Sequence, residues 1–152
     1  MTIRQLKQTL RSVRTARIEI RELEEKREQI RTRAEKTTQT LTGMPSGSHD
    51  AGDKIGSYIS EMSELTGLLD DRIRELTEQE CMVIKLINKM NTGLYRSILL
   101  IYYVTGPVAC TWEHVAGQIH YSSDWTRRLH GRALQELLTV VNNEDTRKHI
   151  DS

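Results

Sequence analysis

A heptad repeat between residues 55 and 90 constrains the fold of this chain more than any other feature of its sequence. Within it, apolar side chains recur at alternating intervals of four and three residues, and Thr66 and Glu80 are the only polar members. The repeat consists of Ile55, Ile59, Met62, Thr66, Leu69, Ile73, Leu76, Glu80, Val83, Ile87 and Met90. Because this spacing gathers the side chains in one narrow seam, it predicts a long helix of the coiled-coil type.

A similar repeat at the start of the chain predicts a partner for that helix. Its members are Ile3, Leu6, Leu10 and Val13 and, after a phase slip, Ala16, Ile20, Leu23, Arg27, Ile30, Ala34, Thr37 and Leu41. The stretch TGMPSGSHDAGD at residues 42–53 contains three glycines and a proline, which predict a loop. Two helices of nearly forty residues, each roughly 55 to 60 Å long, are therefore expected to form an antiparallel hairpin over residues 1–90.

The net charge of +1 hides a separation of charge between the two helices. Residues 1–42 contain 11 Lys/Arg and 6 Asp/Glu, whereas residues 43–91 contain 5 and 9. We interpret the basic first helix as the electrostatic partner of the acidic second helix, with contact of its arginines to nucleic acid as the alternative. With 28% charged residues, 37% hydrophobic residues and no phenylalanine, the chain is short of material for one large globular core.

Beyond the break predicted by NKMNTG at residues 88–93, the sequence changes character. Residues 94–104 are strongly apolar and predict a short helix that ends at a TGP turn. Thr111 is placed to cap a second short helix, WEHVAGQI, in which Trp112 is expected to belong to the core. Ser122 or Ser123 is placed to cap a third helix.

Three helices in about 45 residues, the last two joined by a tight turn, predict a helix-turn-helix domain at residues 91–138. The polar residues 139–152 predict a frayed C-terminal tail. The expected fold class is therefore all-α, with a long antiparallel helical hairpin, or coiled coil, followed by a small three-helix helix-turn-helix domain.

The third helix is expected to read DNA, because its two faces differ as those of a recognition helix do. Its inward stripe on a helical wheel consists of Thr126, Leu129, Ala133 and Leu137, with Leu134 beside it. The predicted DNA-binding residues are Ser122, Ser123, Asp124, Trp125, Arg127, Arg128, Gly131 and Arg132. Arg127 or Arg128 is placed to bind a guanine with two hydrogen bonds while the other holds a phosphate.

Three residues of this helix allow more than one interpretation. Gly131 costs the helix about 1 kcal/mol relative to alanine, so we expect a close approach by the DNA backbone or by a neighbouring helix. Trp125 is interpreted as packing on the helical bundle, with contact to a sugar-phosphate edge as the functional alternative. Asp124 is placed either to orient one of the arginines or to accept a hydrogen bond from a cytosine amino group.

The segment TWEHVAGQIHYSSDWTRRLHGRAL at residues 111–134 resembles the helix-turn-helix of region 4 in bacterial sigma factors. It is more closely similar to small phage and prophage proteins of Gram-positive bacteria related to the autolysin-regulator (ArpU) and RinA-type transcriptional regulators. The motifs that carry this similarity are LTGMPSG at 41–47, YYVTG at 102–106, TWEHVA at 111–116 and YSSDWTRRLHGRAL at 121–134. The resemblance covers about residues 40 to 135 and is most specific at its C-terminal end.

This resemblance implies a DNA-binding regulator of phage gene expression, of the late-gene activator type, that acts in the cytoplasm of a bacterial host. It places the DNA face at Ser122, Ser123, Asp124, Arg127, Arg128 and Arg132. Double-stranded DNA is the implied partner, and RNA polymerase is a second candidate. Two residues depart from the pattern: His120 stands where the turn usually has glycine, and Thr126 where a valine-like residue usually packs.

We expect a homodimer, because a two-helix hairpin leaves one side of its seam open and a second hairpin would cover it. Two alternative functions remain open. A small terminase-like DNA-packaging protein also joins a helix-turn-helix to long oligomerising helices, and it would form a ring larger than a dimer. A coiled-coil adaptor that binds RNA polymerase would need no DNA contact.

Neither catalytic residues nor a metal site or cofactor is predicted. His114, His120 and His130 lie in the same small domain, but no acid or cysteine completes a ligand set. Cys81 and Cys110 lie in apolar runs and are expected to be buried thiols in a reducing cytosol. The loop GMPSG lacks the ending of a phosphate-binding loop, and no apolar run approaches the roughly 18 residues that span a bilayer. We therefore expect neither an enzyme nor a membrane protein.

Overall fold

The computed structural model describes residues 1–41 and 49–150, and in this part of the chain it contains five α-helices and no β-strand. These helices are α1 (Ile3–Leu41), α2 (His49–Asn88), α3 (Gly93–Leu100), α4 (Trp112–Ile119) and α5 (Ser123–Ile150). A π-helical segment, Ile101–Thr105, continues α3. The all-α prediction is confirmed, as are the break after α2 and the positions of the two short helices.

The chain divides into two compact units. The first comprises Met1–Ile18 together with the chain from Leu76 onward, and the second is Glu19–Glu75. Helices α1 and α2 therefore contribute to both units. This division differs from the sequence-based boundary at residue 90, because the two ends of the predicted hairpin share a core with α3 and α5.

The first unit is built around one core to which four of the helices contribute. Its buried members are Leu6, Leu10 and Val13 from α1, Val83 and Ile87 from α2, Met90, Leu99 from α3, Tyr103 and Val104 from the π-helical segment, and Ala133, Leu134, Leu137 and Val141 from α5. A smaller cluster joins α3, α4 and α5 through Ile98, Cys110, Val115 and Leu129. Apolar burial of this kind contributes about 25 cal/mol for each Å² removed from water and is the main stabilising term.

The second unit has far fewer buried side chains. Among its described residues only Ile20, Ile30 and Leu69 are buried apolar ones. An ion pair of 3.6 Å between Glu19 and Arg72 joins α1 to α2. Two members of the predicted seam are exposed, Ile59 by 63% and Ile73 by 42%, because a single partner helix covers only one side of a coiled-coil seam.

Gly106 allows the π-helical segment to close. Its N–H donates a hydrogen bond of 2.9 Å to the carbonyl oxygen of Ile101, five residues earlier, which is the π-helical pattern. A Cβ at position 106 would lie 2.2 Å from that same oxygen. Any side chain would therefore clash, and the glycine of the YYVTG motif has a steric role.

The loop predicted at residues 42–53 is wrong for its last five residues. Residues 42–48 lie outside the described residues, but α2 begins at His49, so residues 49–53 are helical. A glycine in a helix costs about 1 kcal/mol. Gly52 is therefore too weak a signal to delay a helix whose seam is stabilised by packing further along the chain.

The predicted frayed tail at 139–152 is wrong for the residues that the structure describes, because α5 continues to Ile150. Val141 extends the buried stripe of the helix by one turn beyond Leu137. The side chain of Glu144 pairs with Lys89 at the end of α2. Apolar burial and this ion pair hold a segment that its polar composition alone would leave loose.

Cys81 is a further correction, since it is exposed, whereas Cys110 is buried as predicted. Cys81 follows the seam residue Glu80 by one position, and a step of 100° around the helix turns it away from the packed side. In the described ranges, no helix combines the length and the apolar character that crossing a membrane requires.

Candidate nucleic-acid interface

A left-handed turn at His120 ends α4, with φ of 61° and ψ of 41°. The N–H groups of His120 and Tyr121 both donate to the carbonyl oxygen of Ala116; the first is the bond of an αL cap, and the second is the six-to-one bond of a Schellman motif. A residue other than glycine in this conformation costs on the order of 1 kcal/mol. The histidine is nevertheless accommodated, and the turn leads directly into α5.

Ser122, one of the two predicted caps, starts α5. Its Oγ accepts a hydrogen bond of 3.2 Å from the N–H of Trp125. Its carbonyl oxygen accepts from the N–H and from the hydroxyl of Thr126, at 2.9 and 2.8 Å. The buried hydroxyl of Thr126 therefore has the partner that burial of a polar group requires.

The predicted inward stripe of α5 is confirmed. All of its members are buried, namely Thr126, Leu129, Ala133, Leu134 and Leu137. Leu129 belongs to the cluster that contains Val115 of α4, and Leu134 belongs to the larger core. Packing on two sides fixes the rotation of α5 about its own axis and leaves the opposite face outward.

Arg127 and Arg128 lie on that outward face, in the first turns of α5. Both are exposed, and neither forms an ion pair with another residue in the described part of the chain. Asp124 is exposed as well and pairs with neither arginine there. The interpretation that Asp124 orients an arginine is therefore not met, and acceptance of a hydrogen bond from a cytosine stays a prediction.

Trp125 is 37% exposed and belongs to neither apolar cluster, so its interpretation as a residue packed on the bundle is not supported. It precedes the buried Thr126 by one residue, and that step of 100° turns it away from the core. The guanidinium carbon of Arg132 lies 5.3 Å from the centroid of the Trp125 ring. This cation–π contact orders both side chains on the outer surface of α5.

Gly131 faces open space. No heavy atom would lie within 4 Å of a Cβ built at this position, apart from the neighbouring residues and the backbone of its own helix turn. Of the two explanations for a glycine here, close packing of a neighbouring helix is therefore excluded within the described residues. Close approach of an external backbone stays a prediction.

An aromatic cluster anchors α5 from the side opposite its exposed face. The ring of Tyr102 stacks on that of Trp112 with 4.1 Å between centroids and an angle of 7°. Trp112 is only partly buried and belongs to neither core cluster, so its expected core position is met only in part. Nε2 of His130 shares a hydrogen bond of 3.0 Å with the Tyr103 hydroxyl. Sequence analysis missed this role of His130, although its spacing of four residues from the buried Thr126 places it beside the inward stripe.

Burial, with smaller contributions from the nearby cations Lys7 and Arg11, lowers the pKa of His130 from 6.5 to about 4. The imidazole is therefore neutral at pH 7, and its role is packing. His114 and His120 are exposed. Within residues 1–41 and 49–150, no group of three or more His, Cys, Asp or Glu side chains is arranged to hold a metal ion.

Glu136 links α5 to the start of α3, a role that sequence analysis also missed. Its carboxylate accepts hydrogen bonds from the N–H groups of Asn91 and Thr92 at 2.8 and 3.0 Å. The bond from the Thr92 backbone is the main cause of the lowered pKa of Glu136. These backbone donors would otherwise lack a partner at a helix start.

Comparison with known proteins returns no match from family models, from curated proteins or from solved structures.

Proposed function

We propose that this chain is a sequence-specific DNA-binding regulator of transcription. The observation that carries the proposal is the exposure of Arg127 and Arg128 at the start of a helix whose opposite face is buried. With no acidic partner among the described residues, both guanidinium groups have donors available to an external acceptor. The acceptors of DNA that suit a guanidinium group include the O6 and N7 edge of guanine and the phosphate oxygens.

In the proposed complex, the first turns of α5 enter the major groove, which is about 12 Å wide and admits one helix. One of Arg127 and Arg128 binds a guanine with two hydrogen bonds, and the other binds a phosphate. Ser123 and the free N–H groups of the helix start favour a second phosphate. Arg132, held over Trp125, reaches the backbone beside the groove, and the bare surface of Gly131 lets that backbone come close.

The resemblance of residues 111–134 to phage and prophage regulators extends the proposal. It favours a regulator of the late-gene activator type that is encoded by a phage or prophage and acts in the bacterial cytoplasm. RNA polymerase is then a candidate second partner.

Selection of binding sites from a pool of random duplexes, followed by footprinting, tests the proposal. We expect one common sequence to be enriched, and the logarithm of the affinity to fall linearly with the logarithm of the salt concentration. A pool that stays random after repeated selection would overturn sequence-specific binding. Binding to RNA polymerase that barely responds to salt, without any DNA binding, would instead favour a coiled-coil adaptor.

We also propose that two copies of the chain pair through the second unit. Ile59 is 63% exposed there and Leu68 is 43% exposed. Full burial of one such side chain is worth about 1.5 to 3 kcal/mol. Exposed cations of α1, such as Lys26 and Arg33, would complement exposed acids of α2 in a second copy, such as Glu61. A dimer would also present two recognition helices to a two-fold operator.

Sedimentation of the wild type and of Ile59→Asp tests the dimer. We expect the wild type to sediment as a dimer at micromolar concentration and the variant as a monomer of unchanged helix content. A wild-type monomer would overturn the dimer. A ring of more than two copies would also overturn it and would favour a DNA-packaging protein.

A further inference from the structure

The first eighteen residues carry five cations and no acidic residue. The cations are Arg4, Lys7, Arg11, Arg14 and Arg17, and the first acidic side chain of the chain is Glu19. Further along α1, cations alternate with acids and pair with them, as Arg21 does with Glu25 over 3.2 Å. Pairing with acids along α1, as seen for Arg21, therefore does not explain the cations at the start of the helix.

Two of these five cations have structural partners in the first unit. The guanidinium of Arg14 lies 4.3 Å from the centroid of the Tyr102 ring. Nη2 of Arg17 donates a hydrogen bond of 2.6 Å to the carbonyl oxygen of Gly106, and its Nε lies 3.8 Å from a carboxylate oxygen of Glu80. Both side chains secure α1 against the rest of the unit.

The other three cations, Arg4, Lys7 and Arg11, are exposed and form no ion pair within the described ranges. Their spacing of three and four residues places them in one row along a helix face. From Arg4 to Arg11 this row spans about 10 Å at 1.5 Å per residue. No bond within the described protein explains why three cations should be aligned there.

The row lies beside α5. Leu6 and Leu10 of α1, each one residue before a member of the row, share a core with Leu134 and Leu137 of α5. The terminal amine of Met1 donates a hydrogen bond of 2.8 Å to Oδ1 of Asn142 on the same helix.

The other end of the row is positioned by the aromatic cluster. Arg14 lies over Tyr102, whose ring centroid is 5.8 Å from that of His130. Lys7 and Arg11 are close enough to His130 to lower its pKa. Arg127 precedes His130 by three residues, so its side chain lies on a neighbouring part of the α5 surface.

We infer that Arg4, Lys7 and Arg11 form a second phosphate-binding surface, which grips the backbone of the same duplex whose groove receives α5. This inference rests on the proposed function. In this arrangement α1 contributes affinity that does not depend on base sequence, while α5 discriminates between DNA sequences. The ligand class is the phosphodiester backbone of double-stranded DNA.

The test compares Lys7→Gln/Arg11→Gln with Lys54→Gln/Arg74→Gln, which removes the same charge from exposed positions on α2 in the second unit. Affinity for the selected duplex and for a scrambled duplex is measured between 50 and 200 mM salt. The slope of log affinity against log salt is negative, and we expect the first variant to make it shallower by about 2 on both duplexes, about 1 for each lost phosphate contact. Its ratio of specific to scrambled affinity should stay at the wild-type value, and the control should leave the slope unchanged.

Failure of this inference can be told apart from failure of the proposed function. A wild-type slope in Lys7→Gln/Arg11→Gln, with sequence preference intact, overturns only the second surface. If the wild type binds DNA without sequence preference and Lys7→Gln/Arg11→Gln shows a shallower salt dependence, the second phosphate-binding surface is retained. The sequence-specific regulator is then overturned. If the wild type binds no duplex, both the second surface and the proposed function are overturned. Both are also overturned if Lys7→Gln/Arg11→Gln loses only binding to vesicles of anionic lipid.

Discussion

The same heptad repeat runs through both units of the molecule, yet only the first unit covers both rows of its seam. On α2 in the first unit, Val83 and Ile87 of alternating rows are both buried. In the second unit, Leu69 is buried, whereas Ile59 and Ile73 of the other row are 63% and 42% exposed. The difference follows from the number of helices that pack on α2. A heptad repeat thus specifies a helix and its apolar seam, but not how many partners cover it.

The largest expected effect comes from truncating one residue of the same row in each unit. Ile87→Ala removes a fully buried side chain and should lower the free energy of unfolding by about 2 to 5 kcal/mol. Ile59→Ala should change it by less than about 0.5 kcal/mol at low protein concentration, because its side chain is already in water. Urea unfolding followed by circular dichroism measures both. Equal losses of unfolding free energy in the two variants would contradict the difference in coverage between the two units.

Acid should weaken the first unit through His130. Its pKa of about 4 in the folded state lies below the value of 6.5 in the unfolded state. Between these values the unfolded chain binds more protons, so the free energy of unfolding falls as pH falls, by about 2 kcal/mol between pH 7 and 5. His130→Gln should remove this part of the dependence.

Tryptophan fluorescence is the measurement for this effect, because Trp112 and Trp125 both belong to the first unit. The difference in unfolding free energy between wild type and His130→Gln is measured at pH 7 and at pH 5. Parallel pH curves for the two proteins would show that His130 is not held neutral by burial.

A smaller effect distinguishes two exposed helical glycines, Gly131 in the first unit and Gly67 in the second. Neither would bring a Cβ within 4 Å of another atom, so alanine should stabilise each helix by about 0.5 to 1 kcal/mol. Gly131→Ala should nevertheless weaken DNA binding, because the added methyl group meets the approaching backbone. Thermal melts and affinity for the selected duplex test this pair. Unchanged DNA affinity in Gly131→Ala would remove the functional explanation of that glycine.

The smallest effect concerns the reactivity of the two thiols. Both lie in the first unit, and they differ in exposure as the seam residues of the two units do. Cys81 is exposed, whereas Cys110 is buried and burial raises the pKa of its thiol. A maleimide reagent should therefore modify Cys81 rapidly and Cys110 only on unfolding. Mass spectrometry of digests over time measures both rates, and comparable rates would contradict the packing of Cys110.

Local patterns could predict much of this fold. Repeat spacing located α1 and α2, side-chain chemistry located the caps at Thr111 and Ser122, and the helical wheel located the buried stripe that contains Thr126. Each of these depends on residues within a few positions of one another. The outward position of Arg127 follows from the same wheel, whereas the exposure of Trp125 contradicted the preferred interpretation of that residue.

Contacts between distant residues could not be predicted in this way. Glu136 bonds to Asn91 across 45 positions of sequence, and Arg17 bonds to Gly106 across 89. No periodicity connects such residues, because their meeting depends on how whole helices pack. For the same reason the continuation of α5 beyond Leu138 was missed, since its pairing with Lys89 depends on the end of α2.

The most direct test of the account is the affinity of Arg127→Ala/Arg128→Ala for the selected duplex, beside Lys54→Ala/Arg74→Ala, which removes two exposed cations from the second unit. With about 1 to 3 kcal/mol expected for the guanine-binding arginine and a further loss for the phosphate-binding one, the first variant should bind about tenfold more weakly or worse. The control should lose less than about threefold, and both should keep the wild-type helical melt. Wild-type affinity in Arg127→Ala/Arg128→Ala would contradict the assignment of DNA recognition to α5.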